Sequence, residues 1–285
     1  MARSQPSSDS PAGIESTGWR IGGVSVEGYR HRRAGESCQD AWAQYNERAP
    51  TVLAVADGAG TRARSGEGAR LAADLAVRHF GPALAERHPE LLAWRPGERV
   101  EPIRDVMRSS FRRLHEEFHT ELRLTAGPSM VAEFATTLTV VVLLPALLCQ
   151  IAVGDGFVLV RAGAERPEAG SLERQVHLLP QMESASEYGN ETVFVTSPDV
   201  QRRVRVDCLA DPAVDGVLLS TDGFAPVILG DAAGWHGGVN HPLANRLFDQ
   251  MDRGDDQGPV ARLLRSNQVA RANGDDMTVV RAVRG

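Results

Sequence analysis

The sequence has few cysteines, and they do not form a metal-binding or disulfide pattern. Cys38, Cys149 and Cys208 are the only three in 285 residues, and none has Cys-x-x-Cys spacing. An odd number of widely separated cysteines favours neither a zinc site nor a disulfide scaffold. We interpret them as small, buried apolar residues in a reducing compartment.

The sequence also lacks a long apolar run and an excess of basic residues. Its longest apolar run, residues 138–148, is interrupted by Thr139 and Pro145 and is too short to span a bilayer. The first ten residues contain no apolar signal core. A net charge of −6 and a pI near 5.8 argue against nucleic-acid binding. We therefore expect a cytoplasmic protein with neither membrane nor nucleic acid as a partner.

The remaining composition is that of an ordinary globular protein. Hydrophobic residues make up 42% of the chain and charged residues 24%. Residues 1–17 are rich in Ser, Pro and Gly, which predicts a disordered tail, and residues 18–285 are long enough to form a large core.

Apolar periodicity predicts strands first, then helices, many strands, more helices and a closing strand. The predicted strands cover residues 19–26, 51–56, 136–144, 147–153, 157–161, 176–179, 193–196, 204–207, 217–220 and 277–283. The predicted helices cover residues 64–80, 101–124, 243–251 and 260–270, and residues 28–42 and 180–190 are predicted loops. Pro-Ala and Gly-Asp-Gly turns predict consecutive hairpins between residues 136 and 161. This order indicates an α+β fold with antiparallel sheets between helical layers.

Acidic residues recur where the predicted strands begin or end. They are Asp40, Asp57 before Gly58, Asp155 between two glycines, Asp222 before Gly223, and the pair Asp275–Asp276. A single Asp-Gly pair is usually only a turn. The repeated pattern instead favours a metal site, because Mg²⁺ and Mn²⁺ prefer oxygen ligands and strand ends hold carboxylates rigidly.

These acids lie within short motifs that resemble a known family. The motifs are Cys38-Gln-Asp-Ala, Val55-Ala-Asp-Gly-Ala-Gly, Ala135-Thr-Thr-Leu-Thr, Val153-Gly-Asp-Gly, Leu219-Ser-Thr-Asp-Gly-Phe and Gly274-Asp-Asp-Met-Thr-Val-Val. Their order resembles that of the metal-dependent protein phosphatases of the 2C type, most closely the bacterial branch. The resemblance implies a four-layer αββα sandwich, two central antiparallel sheets flanked by helices, with residues 18–285 as the catalytic domain.

The resemblance also implies a role for each acid in binding two Mg²⁺ or Mn²⁺ ions. Asp57 would bridge both ions, the Gly58 carbonyl would bind one, and Asp222 and Asp275 would complete the ligands of the other. Asp40 would hold metal-bound water, and Asp155 would serve a third, weaker metal site.

The sequence departs from the family pattern on the side that would bind phosphate. The usual phosphate-binding Arg, five residues before Asp40, is replaced by Gly35, so Arg32, Arg33 or His31 would have to substitute. Ala59 stands where many eukaryotic members have the His of the general acid. Asp276 replaces the usual Asn, and Phe157 replaces an Arg.

Three functions are compatible with these motifs. The first is a serine/threonine phosphoprotein phosphatase that uses a metal-activated water without a covalent intermediate. The departures at residues 35 and 157 leave open a pseudophosphatase or regulatory phosphoprotein-binding module without turnover. A hydrolase of small phosphate esters would share the site. The first function implies a phosphorylated protein substrate and a cognate Ser/Thr kinase, and we expect a monomer.

Overall fold

The computed structural model describes residues 18–93, 95–163, 174–180, 192–230, 238–252 and 257–284. The predicted tail at residues 1–17 and the predicted loop beyond Pro180 lie outside the described residues.

The described strands form two five-stranded antiparallel sheets. They are β1 (Trp19–Val26), β2 (Ala41–Tyr45), β3 (Thr51–Ala56), β4 (Leu138–Leu144), β5 (Leu147–Val153), β6 (Phe157–Ala162), β7 (Gln175–Leu178), β8 (Arg205–Leu209), β9 (Val214–Ser220) and β10 (Met277–Arg284). The first sheet has the order β1-β10-β9-β6-β7, and the second has the order β2-β3-β4-β5-β8.

Helices cover the outer face of each sheet. They are α1 (Tyr29–Ala34), α2 (Ser65–Leu92), α3 (Val100–Thr125), α4 (Val200–Arg203), α5 (Ala225–Ile228), α6 (His241–Asp252), α7 (Gln257–Leu264) and α8 (Asn267–Ala272). Helices α2 and α3 pack on the second sheet, and α5 to α8 cover the first. Within the described residues, none of these helices is both long and apolar enough to cross a membrane.

Strand β3 is a short apolar run that is buried on both of its faces, each in a different layer of the core. Val52, Ala54 and Ala56 face the helices α2 and α3. Leu53 and Val55, on the opposite side, pack into the core between the two sheets. Because successive strand residues point to opposite faces, a strand that is buried on both faces needs a continuous apolar run. The predicted αββα sandwich is confirmed.

The predicted hairpin between β5 and β6 is wrong. β5 belongs to the second sheet and β6 to the first, so residues 154–156 carry the chain from one sheet to the other. Both strands are buried on both faces, and their apolar pattern therefore does not identify the partner strand. The crossing places Asp155 between the two sheets.

Three local predictions also differ from the structure. The predicted loop at residues 28–42 contains α1, which ends at Gly35 in a left-handed conformation. Residues 193–196 form a turn rather than a strand, although Val193 and Val195 are buried. The predicted helix at 260–270 is interrupted at Ser266, whose side chain accepts a hydrogen bond from the backbone N–H of Val269 and caps α8.

Two of the cysteines are paired, which the sequence interpretation did not anticipate. Cys149 on β5 lies directly opposite Cys208 on the edge strand β8, and the two form a disulfide. They are 59 residues apart in the chain, and only the strand register brings them together. Cys38 is free.

Candidate metal centre

Strand register brings the acids of the second sheet to one edge. Ala41, the first residue of β2, pairs with Ala56, the last residue of β3. Asp40 immediately precedes the first of these residues and Asp57 immediately follows the second. The two carboxylates therefore lie side by side at the end of a hairpin.

The first sheet contributes three acids in the same way. Ser220, at the end of β9, pairs with Phe157 at the start of β6 and with Val279 near the start of β10. The segments just beyond these paired residues carry Asp222, Asp155 and Asp275. Antiparallel pairing thus places the end of one strand beside the beginnings of its two neighbours.

The acids from the two sheets meet in one cluster. Ligand atoms of Asp57, Asp155 and Asp222 all lie within 4.8 Å of one another. Asp57 is central, because its carboxyl group contacts those of both Asp40 and Asp222. Asp275 lies outside the 4.8 Å group, but its charge acts on Asp155 and Asp222. Asp155, predicted for a third and weaker metal site, is therefore a member of the central group.

Hydroxyl groups next to the acids hold them in place. Thr136 Oγ1 donates a hydrogen bond to the Asp57 carbonyl (2.9 Å), and Thr137 Oγ1 accepts one from the Asp57 N–H (3.0 Å). Thr221 Oγ1 donates to Asp40 Oδ2 (2.8 Å), and Thr192 Oγ1 donates to Asp155 Oδ2 (3.1 Å). These contacts lock the carboxylates before any ligand binds.

Gly58 allows the backbone to approach the cluster closely. A Cβ atom at this position would lie 2.7 Å from the Ser65 carbonyl carbon and 2.8 Å from the Gln39 carbonyl oxygen. Only glycine fits without displacing this backbone. The close approach of these backbone segments thus requires glycine next to Asp57.

Burial raises the pKa of every carboxyl group in the cluster for which a shift is resolved. The pKa of Asp40 rises to about 7 through burial, although the Thr221 hydroxyl partly offsets the shift. The pKa of Asp222 rises to about 6, through burial and then the charge of Asp155. The pKa of Asp57 rises well above its usual value, through burial and then the charges of Asp40 and Asp222. Burial also raises the pKa of Asp155.

These residues fit a site for hard divalent cations. Asp40 Oδ1 is buried and receives no hydrogen-bond donor from the described residues, so one of its acceptor positions is free for a ligand. Asp40 is buried and Asp57, Asp155 and Asp222 are half-buried, and carboxylates this close together repel one another unless cations balance their charge. The side chains of this cluster offer carboxylate oxygens as metal ligands, and this is the ligand type that Mg²⁺ and Mn²⁺ prefer.

Comparison with known proteins agrees with this geometry. The family model described as protein phosphatase 2C matches residues 27–269, which is most of the chain. This chain belongs to the protein phosphatase 2C family. No curated protein matches the sequence significantly.

Several solved structures share the fold at low sequence identity. A serine/threonine phosphatase of S. agalactiae has a TM-score of 0.60 at 17% identity, with 94% of this chain and 100% of that chain covered. A serine-threonine phosphatase 2C from Toxoplasma gondii has a TM-score of 0.61 at 12% identity, with 94% and 95% covered. A C. elegans sex-determining protein has a TM-score of 0.60 at 17% identity, with 93% of this chain but only 65% of that chain covered. The predicted family and fold are thus confirmed.

Two departures of this chain from the phosphatase 2C pattern take on a structural meaning. Phe157 is 1% exposed and packs in the core beneath the helices on the first sheet, so it takes no part in the site. Asp276, read from the sequence only as an added charge, is 3% exposed and accepts hydrogen bonds from two backbone N–H groups. The sequence offered one signal for this role, the replacement of the usual Asn.

In this phosphatase 2C chain, a cleft of about 680 Å³ is lined by residues that flank Asp40 and Gly58 in sequence, although none of the clustered acids lines it. It is formed by residues 36–39, which lead to Asp40, and by residues 60–70, which follow Gly58. Arg62, Arg64 and Arg70 line it. The predicted phosphate-binding residues Arg32 and Arg33 are exposed on α1, and neither lines the cleft.

Proposed function

We propose that this chain hydrolyses phosphoserine and phosphothreonine in proteins with the help of two Mg²⁺ or Mn²⁺ ions. The observation that carries the proposal is the convergence of Asp57, Asp155 and Asp222 within 4.8 Å in a chain of the phosphatase 2C family. Divalent ions in such a site lower the pKa of bound water and polarise a phosphoryl group.

Each acid has a distinct part in this proposal. Asp57 lies between Asp40 and Asp222 and is therefore placed to bridge two ions. The Gly58 carbonyl, Asp222 and Asp275 would supply further oxygen ligands, and Asp155 would serve an additional ion. Asp40, fixed by the Thr221 hydroxyl, orients the attacking water. Ala59 carries no titratable group, so the leaving alkoxide takes its proton from water rather than from a side chain at that position.

Arginines of the cleft replace the missing phosphate-binding residue in this proposal. The chain contains no lysine, so its permanently charged phosphate-binding side chains are arginines. Arg64 is held closely by Glu67 (2.6 Å), whereas Arg62 is only loosely held by Glu133 (3.4 Å). Arg62 and the exposed Arg70 are therefore the side chains best able to turn toward a phosphate group.

Replacing these two arginines is expected to weaken substrate binding. For the double variant Arg62→Gln/Arg70→Gln we expect a loss in kcat/KM of about 10- to 100-fold on a phosphothreonine peptide, mostly in KM, because charge-assisted hydrogen bonds are lost. The matched control, Arg32→Gln/Arg33→Gln, removes the same charge from α1 and should change kcat/KM less than about threefold. A larger loss in the control would assign phosphate binding to α1 instead.

Turnover assays test the proposed activity directly. The purified protein should release phosphate from phosphothreonine and phosphoserine peptides with Mn²⁺ and lose this activity in EDTA. Peptide binding without phosphate release at any Mn²⁺ concentration would identify the non-catalytic phosphoprotein-binding function instead. Faster turnover of small phosphate esters than of peptides would identify a hydrolase of small esters.

A further inference from the structure

Asp276 closes the loop of residues 28–39, which leads to Asp40. Its Oδ1 accepts a hydrogen bond from the Gly28 N–H (2.7 Å), and its Oδ2 accepts one from the Gln39 N–H (2.6 Å). One buried carboxylate therefore ties together both ends of this loop, which we call the 28–39 loop. Charged acceptors form short, strong hydrogen bonds of this kind.

His31, within the same loop, approaches the same carboxylate. Its Nδ1 lies 2.8 Å from Asp276 Oδ1, and its Nε2 lies 3.6 Å from Glu36 Oε2. The His31 side chain is 13% exposed. A buried carboxylate is stabilised by a nearby N–H donor that can carry positive charge. His31 thus makes a close electrostatic contact with Asp276 beside the hydrogen bonds from the two backbone N–H groups.

The loop also contacts the backbone that precedes β10. The Arg30 N–H donates to the Gly274 carbonyl (3.0 Å). Gly28 lies so close to the backbone of Gly274 and Asp275 that a Cβ atom would not fit there. The 28–39 loop is therefore packed directly onto the segment that carries Asp275 and Asp276.

The contacts of the 28–39 loop continue to Asp40. The Gln39 N–H bound by Asp276 belongs to the residue next to Asp40, while the Asp40 carboxylate accepts from Thr221 Oγ1. Thr221 Oγ1 in turn accepts from the Thr278 N–H (3.0 Å). Asp40 is thus held through the backbone of Gln39 and through its own side chain. The first set of contacts ends at Asp276, immediately before β10, and the second ends at Thr278 within β10.

We propose that Asp276 and His31 are positioning residues that set the Asp40 carboxylate for water activation. An Asn at 276 would offer one acceptor oxygen and would turn an N–H₂ group toward the other backbone N–H. The Asp present here satisfies both N–H groups, and His31 accompanies the extra charge. The catalytic consequence rests on the proposed phosphatase function, whereas the effect on the loop does not.

Hydrogen exchange tests the effect on the loop without any need for activity. In the metal-free protein, amides of the 28–39 loop should exchange about 10-fold faster in His31→Ala and about 10- to 100-fold faster in Asp276→Asn, because closing contacts are lost. His31→Asn, which keeps an N–H donor near Nδ1, should restore most of the protection. His177→Ala, at an exposed position on β7, is the matched control and should leave the loop unchanged.

A double-mutant cycle tests whether the pair acts through Asp40. We expect His31→Ala to lower kcat on a phosphothreonine peptide about 10- to 100-fold with little change in KM, as for other residues that orient a metal site. In an Asp40→Asn background the same substitution should have less than about a twofold effect, since residues in one network are not additive. Melting temperatures of all variants show whether each protein is folded.

The outcomes separate this proposal from the phosphatase function. Unchanged exchange in both His31→Ala and Asp276→Asn would overturn the proposal. Faster exchange with kcat losses that multiply in the Asp40→Asn background would overturn the role in positioning Asp40. If the unmodified protein shows no turnover, the proposed function fails, and Mn²⁺ affinity measured by calorimetry in the same cycle then decides the positioning role.

Discussion

Asp57→Asn is expected to lower Mn²⁺-dependent phosphate release from a phosphothreonine peptide by about 1,000-fold or more. Asp57 contacts both Asp40 and Asp222, so in the proposed site no other described carboxylate could take its place between two ions. Loss of a ligand shared by two ions removes several kcal/mol of transition-state stabilisation, and about 1.4 kcal/mol corresponds to a factor of ten in rate. The measurement is kcat/KM at saturating Mn²⁺.

Two controls make this result interpretable. Asp74→Asn makes the same chemical change at an exposed position on α2 and should keep full activity. Circular dichroism should show that Asp57→Asn keeps the native fold, because the substitution removes a buried charge without changing side-chain size. Unchanged phosphate release by Asp57→Asn would disprove the metal-dependent mechanism.

The chelated protein is expected to lose stability as the pH rises from 5 to 7.5. Asp40 has a folded-state pKa of about 7 and Asp222 of about 6, and both values lie above those of the unfolded chain. Between these limits the folded state binds more protons than the unfolded state, so the free energy of unfolding falls as the pH rises. The stabilisation of the fold by these two protonated carboxyl groups is complete below a pH of about 4. It is lost as the pH rises through their folded-state pKa values.

The expected size of this effect is large enough to measure by thermal unfolding. The two shifts correspond to about 4 kcal/mol between pH 5 and pH 7.5, since one pKa unit corresponds to about 1.4 kcal/mol. For a chain of this size, that change lowers the melting temperature by roughly 5–10 °C. Mn²⁺ at about 100 times its dissociation constant should restore about 2.7 kcal/mol at pH 7.5, and less at pH 5, where protons compete for the same oxygens.

The Asp57→Asn variant serves as the comparison for the stability measurement as well. It removes one of the mutually repelling carboxylates, so its metal-free form should be about 2 kcal/mol more stable than the unmodified protein at pH 7.5. Its melting temperature should depend less on pH and should barely respond to Mn²⁺. Metal-free stability that instead increases from pH 5 to 7.5 would contradict the burial of ionised carboxylates in this cluster.

Much of the site could be predicted from the sequence because each acid is attached to a recognisable local element. Asp57 and Asp222 follow continuous apolar runs, and glycine follows each acid. Such runs form strands buried on both faces, so the acids had to emerge at strand ends. Local chemistry alone therefore identified the carboxylates and the kind of ion they suit.

The arginines that line the cleft could not be predicted in the same way. The prediction for Arg32 and Arg33 depends on their closeness in sequence to Gly35, the position of the missing Arg. A short helix, α1, leaves both exposed, whereas the cleft is lined by arginines that follow Gly58. Sequence proximity does not report which side chains share a cleft, since that depends on how α2 packs against the second sheet.

Most of the strands and helices, the oxygen-rich chemistry of the site and the family can be inferred from the amino-acid sequence. The pairing of the strands is visible only in the folded chain, and it places Asp155 with Asp57 and Asp222 rather than at a hairpin tip, sets Cys149 opposite Cys208, and brings Asp276 to the loop before Asp40. The physical reason is that periodicity specifies which faces of an element are buried but not which partner buries them. Partner choice depends on contacts between residues far apart in the chain.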